Sequence, residues 1–145
     1  MNVRSKIGFS ALAVGAFCTL LATPASAAGY NLTKVSSPGG TVNGVCAFVA
    51  DLPDQSFNNM TIAVKYEIFA EDPAYAVSGI CQIKDVNNRV YGTIVAGAPG
   101  MYATNADDVV VPRNIVGAKA CNTPEALWLD GTEANPTNKT TCTAL

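Results

Sequence analysis

Thr61-Ile62-Ala63-Val64-Lys65-Tyr66-Glu67-Ile68-Phe69 is the stretch that decides the fold class. Ile62, Val64, Tyr66 and Ile68 occupy alternate positions, with Thr61, Ala63, Lys65 and Glu67 between them. Successive side chains of a strand point to opposite faces, so a period of two predicts a strand with one face in a core and the other in water. The same period runs outward on both sides. In Thr41 to Ala50 it places Val42, Cys46 and Phe48 on one face. In Ala76 to Lys84 it places Val77, Cys81 and Ile83 together, opposite Gln82 and Lys84.

The rest of the chain reads in short pieces. Asp85-Val86-Asn87-Asn88 is a polar turn, and Arg89 to Ala96 is the strand that returns from it. Val109 to Val111 is a short apolar run stopped by Pro112. Cys121 to Leu129 and Lys139 to Thr143 form a final hairpin, and Leu32 to Ser36 is an edge strand. Loops are expected at Asp51–Asn59, Glu71–Tyr75, Gly97–Asp107 and Asp130–Asn138. Seven to eight short strands with Gly and Pro between them predict an all-β, antiparallel, immunoglobulin-like β-sandwich.

Composition narrows the chemistry. The chain has 145 residues, enough for one domain, and 14% of them are charged. There is no histidine, which removes Ser-His-Asp and Cys-His catalysis and every His-ligated metal site. The net charge of −2 argues against a nucleic-acid partner. At the N-terminus, Arg4 and Lys6 precede an uncharged run from Ile7 to Ala22, and Ala25-Ser26-Ala27 supplies the small residues that signal peptidase requires. Residues 1–27 therefore read as a secretory signal peptide, and residues 28–145 as a single secreted domain. The apolar run is shorter than the roughly 20 residues a spanning helix needs. Loss of Arg4 and Lys6 leaves seven basic residues against 11 acidic ones, a net charge of −4.

Cleavage also removes Cys18 and leaves Cys46, Cys81, Cys121 and Cys142. Four cysteines in a small exported domain predict two disulfides, and the absence of any Cys-x-x-Cys pair argues against zinc. The favoured pairing is Cys46–Cys81 with Cys121–Cys142. The midpoint of the second pair falls beside the Asp130-Gly131 turn, where opposed residues of a hairpin should have it. Pro136 makes that hairpin asymmetric, and Cys46–Cys121 is the competing bridge.

The C-terminal arrangement Cys121…Ala126-Leu127-Trp128-Leu129-Asp130-Gly131…Cys142, together with the Ala-rich leader, resembles the ends of many small secreted actinobacterial proteins of uncharacterised activity. The resemblance implies an exported bacterial β-domain and no reaction. The size and the four cysteines are also similar to the apoproteins of enediyne chromoproteins, which carry small ligands, an analogy of fold alone.

Candidate functional residues are few. In Gly97-Ala98-Pro99-Gly100-Met101-Tyr102 the Pro and Gly fix a turn, leaving Met101 and Tyr102 either exposed as contact residues or folded back on the core. Phe57 and Met60 pose the same choice. Trp128 is either core or an aromatic platform on a sheet face. Asp107-Asp108 is a solvated turn or, with nearby carbonyls, a calcium ligand pair, though no calcium-loop motif surrounds it. No nucleophile–base set stands out, and no cofactor or metal is expected. The sequence thus predicts a secreted, disulfide-stabilised binding module directed at an extracellular protein, an envelope component or a small ligand. The alternatives are an inhibitor of secreted hydrolases and a hydrolase built on two carboxylates.

Overall fold

The computed structural model describes residues 26–51 and 58–145. Most of the predicted leader and Phe57 therefore lie outside the described residues. The chain forms two antiparallel sheets. The first contains β1 (Ser26–Ser37), β2 (Gly40–Asp51), β3 (Asn59–Ala70) and β6 (Tyr102–Pro112), in the order β1-β2-β3-β6. The second contains β4 (Ala74–Lys84), β5 (Val90–Pro99), β7 (Lys119–Trp128), β8 (Glu133–Ala134) and β9 (Thr141–Ala144). Its order is β5-β4-β7-β8, with β9 also paired to β7. This is the expected β-sandwich, with nine strands among the described residues where seven to eight were predicted. The first three strands form a meander before the chain crosses to the second sheet at β4.

Alternation places the core. Ile62, Val64, Tyr66 and Ile68 of β3 are buried, as are Val42, Cys46 and Phe48 of β2 and Val77, Cys81 and Ile83 of β4. These are the faces predicted from the period of two, and they meet between the sheets. Cys46 and Cys81 bridge the two layers through adjoining central strands, with Cα atoms 6.2 Å apart. Cys121 and Cys142 are directly opposed in the β7–β9 ladder, 4.1 Å apart at Cα. Closing loops of 35 and 21 residues contributes about 4 and 3 kcal/mol on the chain-entropy account.

The asymmetry anticipated from Pro136 takes a definite form. In β8, Ala126 opposes Ala134 and Leu127 opposes Glu133; that register carried down β7 would set Cys121 opposite Lys139. In β9 its partner is Cys142. The three-residue slip is absorbed by the segment between the two strands, where Asn135 and Asn138 adopt left-handed backbone conformations at φ 63° and 56°. Asn135 is buried and holds this bulge together. Its Nδ2 donates to Pro124 O (2.8 Å) and Lys139 O (3.0 Å), while its Oδ1 accepts from Lys139 N.

Three expectations about elements are corrected. Asp130–Asn138 is not a loop throughout, since Glu133–Ala134 within it pairs with β7 as β8. Gly97–Asp107 is not a loop: it is the end of β5 and the start of β6, joined by a turn at Gly100 and Met101. Asn105, Ala106, Asp107 and Asp108 show no apolar alternation because they belong to an edge strand held by its ladder with β3. The N-terminal strand begins at Ser26, not Leu32, and pairs with β2 along its whole length. Cleavage after Ala27 would leave Ala28–Ser37 of that strand.

A polar network closes the flank where β1 faces β9. Tyr66 Oη donates to Asn122 Oδ1 (2.7 Å), and Asn122 Nδ2 donates to Gly44 O (2.6 Å) and Asn31 O (3.3 Å). Asn31 Nδ2 donates to Thr143 Oγ1 (2.9 Å), and Thr33 shares a hydroxyl hydrogen bond with Thr141. Burial pushes the Tyr66 hydroxyl far above the ordinary tyrosine value, and the negative charge of Glu125 adds to the shift. Gly79 makes room for that hydroxyl: a Cβ there would lie 2.6 Å from it. No buried side-chain nitrogen or oxygen among the described residues lacks a partner.

Candidate functional site

Four turns gather at one end of the sandwich, here called the apical end: 38–39, 71–73, 100–101 and 129–132. Three of the elements that meet there each bring an exposed apolar side chain. Phe69 closes β3, Tyr75 opens β4, and Met101 and Tyr102 come from the turn into β6; their exposures run from 40% to 58%. The backbone joins them. Phe69 and Tyr102 are ladder partners, Ala70 N donates to Met101 O (2.9 Å), and Gly100 N donates to Tyr75 O (2.8 Å). Gly100 sits at φ 90°, a conformation that side chains disfavour, so the Pro99-Gly100 pair sets the tight crossing between sheets. Leu127 is a further exposed apolar side chain near this end, on the second sheet in the row Pro99–Ala76–Leu127.

Carboxylates rim this surface. Tyr102 Oη donates to Glu67 Oε2 (2.7 Å), which pins the ring against the outer face of the first sheet. That bond, with some burial, raises the Tyr102 pKa above its ordinary value. Glu71 accepts from Asn43 Nδ2 (2.7 Å) and pairs with Lys34 (3.4 Å); the Asn43 bond is the main reason its pKa is lowered. Asp72 Oδ2 accepts from Thr41 N (2.9 Å) and ties the β3–β4 turn to β2. Asp130 has a lowered pKa because the Thr132 hydroxyl and backbone N–H both donate to it.

The predicted residues are distributed unevenly. Met101 and Tyr102 are exposed and lie at the apical end. Trp128 does not form a platform: it is 1% exposed, and its Nε1 donates to Ser37 Oγ (2.8 Å). It sits on the inward parity of β7 with Ala126, so the ring fills the core beneath the apical surface. Met60 is half-buried against the core. Asp107 and Asp108 are exposed on β6, and Asp107 Oδ1 accepts from Asp108 N (2.8 Å). Among the described residues no group of three His, Cys, Asp or Glu could hold a metal ion. Phe69 and Tyr75 were not singled out from the sequence. Phe69 was legible by parity, since it follows Lys65 and Glu67 on the outer face.

A concavity lies on the outer face of the second sheet, away from the apical residues. It encloses about 380 Å³ over Ile80 and Val95, with Thr123, Thr140 and Asn138 at one side and Glu125 at its edge. Its wall includes Asn138, one of the two left-handed asparagines of the register slip. Comparison with protein-family models and with curated proteins finds no match to this sequence.

Proposed function

We propose that the chain is a secreted recognition module that binds an extracellular protein or envelope component through its apical end and catalyses no reaction. The observation that carries this reading is the cluster Phe69, Tyr75, Met101 and Tyr102. These side chains are exposed, yet they stand on backbone fixed by ladder and turn hydrogen bonds. A rigid apolar surface loses little conformational freedom on binding, and Tyr and Met are enriched at interfaces. The rim is polar and of mixed charge, with Glu71 paired to Lys34 and Glu67 to Lys65, as the rims of protein interfaces are. Two disulfides suit an oxidising compartment, which supports export, as does the resemblance to small secreted actinobacterial domains.

The inhibitor alternative has less support. Residues up to Pro99 are held in the β4–β5 ladder, so Met101 is presented on a tight turn and not on an extended insertion loop. The carboxylate-hydrolase alternative needs two acids facing one cleft, whereas the concavity over Ile80 and Val95 carries one carboxylate, Glu125.

The test is retention of envelope and culture-fluid components on immobilised protein, identified by mass spectrometry. Met101→Asp and Tyr75→Asp are expected to weaken retention of the bound component by about tenfold or more while leaving thermal stability unchanged. No retained component, or retention indifferent to both substitutions, overturns the reading.

A further inference from the structure

Among the described residues the sandwich has four open edges, and three carry features that discourage pairing with another strand. β6 bears the exposed Asp107 and Asp108, ends at Pro112, and is tied to β5 by Asn105 Nδ2 donating to Val95 O (2.8 Å). β5 ends at Pro99, and its register with β4 is interrupted at Ile83/Lys84. β8 and β9 have two and four residues. Short length, proline, bulges and charge are the usual devices that keep sheet edges apart.

β1 has none of these over most of its length. It runs for 12 residues in unbroken register with β2, contains no proline, and carries one charged residue, Lys34. Its outward side chains include Tyr30 at 63% and Leu32 at 50% exposure. The two-residue Pro38-Gly39 turn makes Ser37 and Gly40 the bonded closing pair. The backbone groups of Ser36, Lys34, Leu32 and Tyr30 therefore point away from β2. One long, exposed contact reaches them, from Lys139 Nζ to Lys34 O at 3.4 Å. Among the described residues no strand pairs with this edge.

We infer that β1 pairs antiparallel with β1 of a second copy, joining two four-stranded sheets into one of eight about a two-fold axis at Leu32. The choice of axis follows from the side chains. An axis at Lys34 would oppose two ammonium groups, which destabilises a ladder. An axis at Tyr30 leaves the C-terminal part of β1 unpaired. At Leu32 the cleaved strand pairs from Ala28 to Ser36. Leu32 meets its own copy, and Tyr30 faces Lys34 of the second copy, where the ammonium can sit over the ring. The outer row then reads Val45–Leu32–Leu32–Val45 across both copies, a continuous apolar strip. Asn31 and Thr33 take no part, because the network with Thr141 and Thr143 already holds them inward.

Sedimentation equilibrium of the exported protein is expected to show twice the monomer mass. Leu32→Lys places two ammonium groups on the axis and should raise the dissociation constant by about tenfold or more. Val110→Lys, at a site of similar exposure on β6, should leave it unchanged. Leu32→Cys should give a covalent dimer under mild oxidation, since opposed Cα atoms lie about 5.5 Å apart in a bonded pair, within disulfide reach. That variant keeps the test decisive if Leu32→Lys fails to fold. A monomer at every concentration overturns the inference. So does a dimer that Leu32→Lys spares, one that Met101→Asp breaks, or a monomer whose β1 instead takes up an added extended peptide.

Discussion

The two flanks of the sandwich are closed in different ways. Where β5 meets β6, the inward side chains are apolar, among them Ile94, Ala96, Ala103, Val109 and Val111, and Asn105 to Val95 O joins the strands at the rim. Where β1 meets β9, Asn31, Thr33, Tyr66, Asn122, Thr141 and Thr143 form a connected set of hydrogen bonds, and a disulfide anchors β9 behind them. An apolar seam tolerates small sliding, because methyl contacts have little direction. A buried polar network accepts one arrangement, since a donor left unpaired there costs about 1–3 kcal/mol. The polar flank therefore fixes how the two sheets lie on each other, and the apolar flank follows.

Three experiments would break or sharpen that contrast. The largest effect should come from removing the anchor. Cys121→Ala with Cys142→Ala is expected to cost about 3 kcal/mol in guanidinium unfolding. It should also raise amide exchange in β9 and β1 before β5 and β6. Equal loosening of both flanks would remove the distinction. Next, Asn122→Ala strips partners from the Tyr66 hydroxyl, Gly44 O and Asn31 O and should cost about 2–3 kcal/mol, whereas Asn105→Ala should cost less than about 1 kcal/mol. Similar values for the two would sink the argument.

The smallest effect is in pH. Glu71, Asp85 and Asp130 have folded-state pKa values below their ordinary ones. Their contribution is therefore present above the ordinary carboxylate range and is lost as pH falls through the depressed values. Tyr66 is shifted the other way, so its contribution holds below the ordinary tyrosine value and is lost as pH rises past about 10. With no histidine and all four described cysteines oxidised, melting temperature should be nearly flat between about pH 5 and 9. Tyr66→Phe should flatten the alkaline limb and leave the acid limb alone, because the acid limb belongs to the turns.

The same contrast explains what the sequence could and could not tell. Apolar alternation in β2, β3 and β4 announced the central strands. The Asp130-Gly131 turn pointed to the Cys121–Cys142 pair, but its own register leads to Lys139, and the three-residue slip that brings Cys142 opposite Cys121 was not legible. The polar flank inverts the rule. In β1, Asn31 and Thr33 face inward while Tyr30 and Leu32 face out, so hydropathy alone assigns the wrong faces. Asn122 likewise sits inward among alanines. Its burial depends on partners on β1, β2 and β3, which are distant in sequence. At the apical end, Pro99-Gly100 marked Met101 and Tyr102 locally. Tyr75 joins them only through Gly100 N, a contact between strands that chain order does not disclose.

A force applied across the chain would not load it evenly. Tension entering at the N-terminal side would peel β1 and the start of β2, then pass at Cys46 through the sulfur bridge directly to Cys81. Everything between, including all of β3, would stay slack. The same bypass runs from Cys121 to Cys142. Phe69 and Tyr75 lie inside the first slack loop, whereas Met101 and Tyr102 lie on chain that bears load. A pulled molecule would thus keep half of its apical surface folded on an unstrained strand while the other half carried the strain.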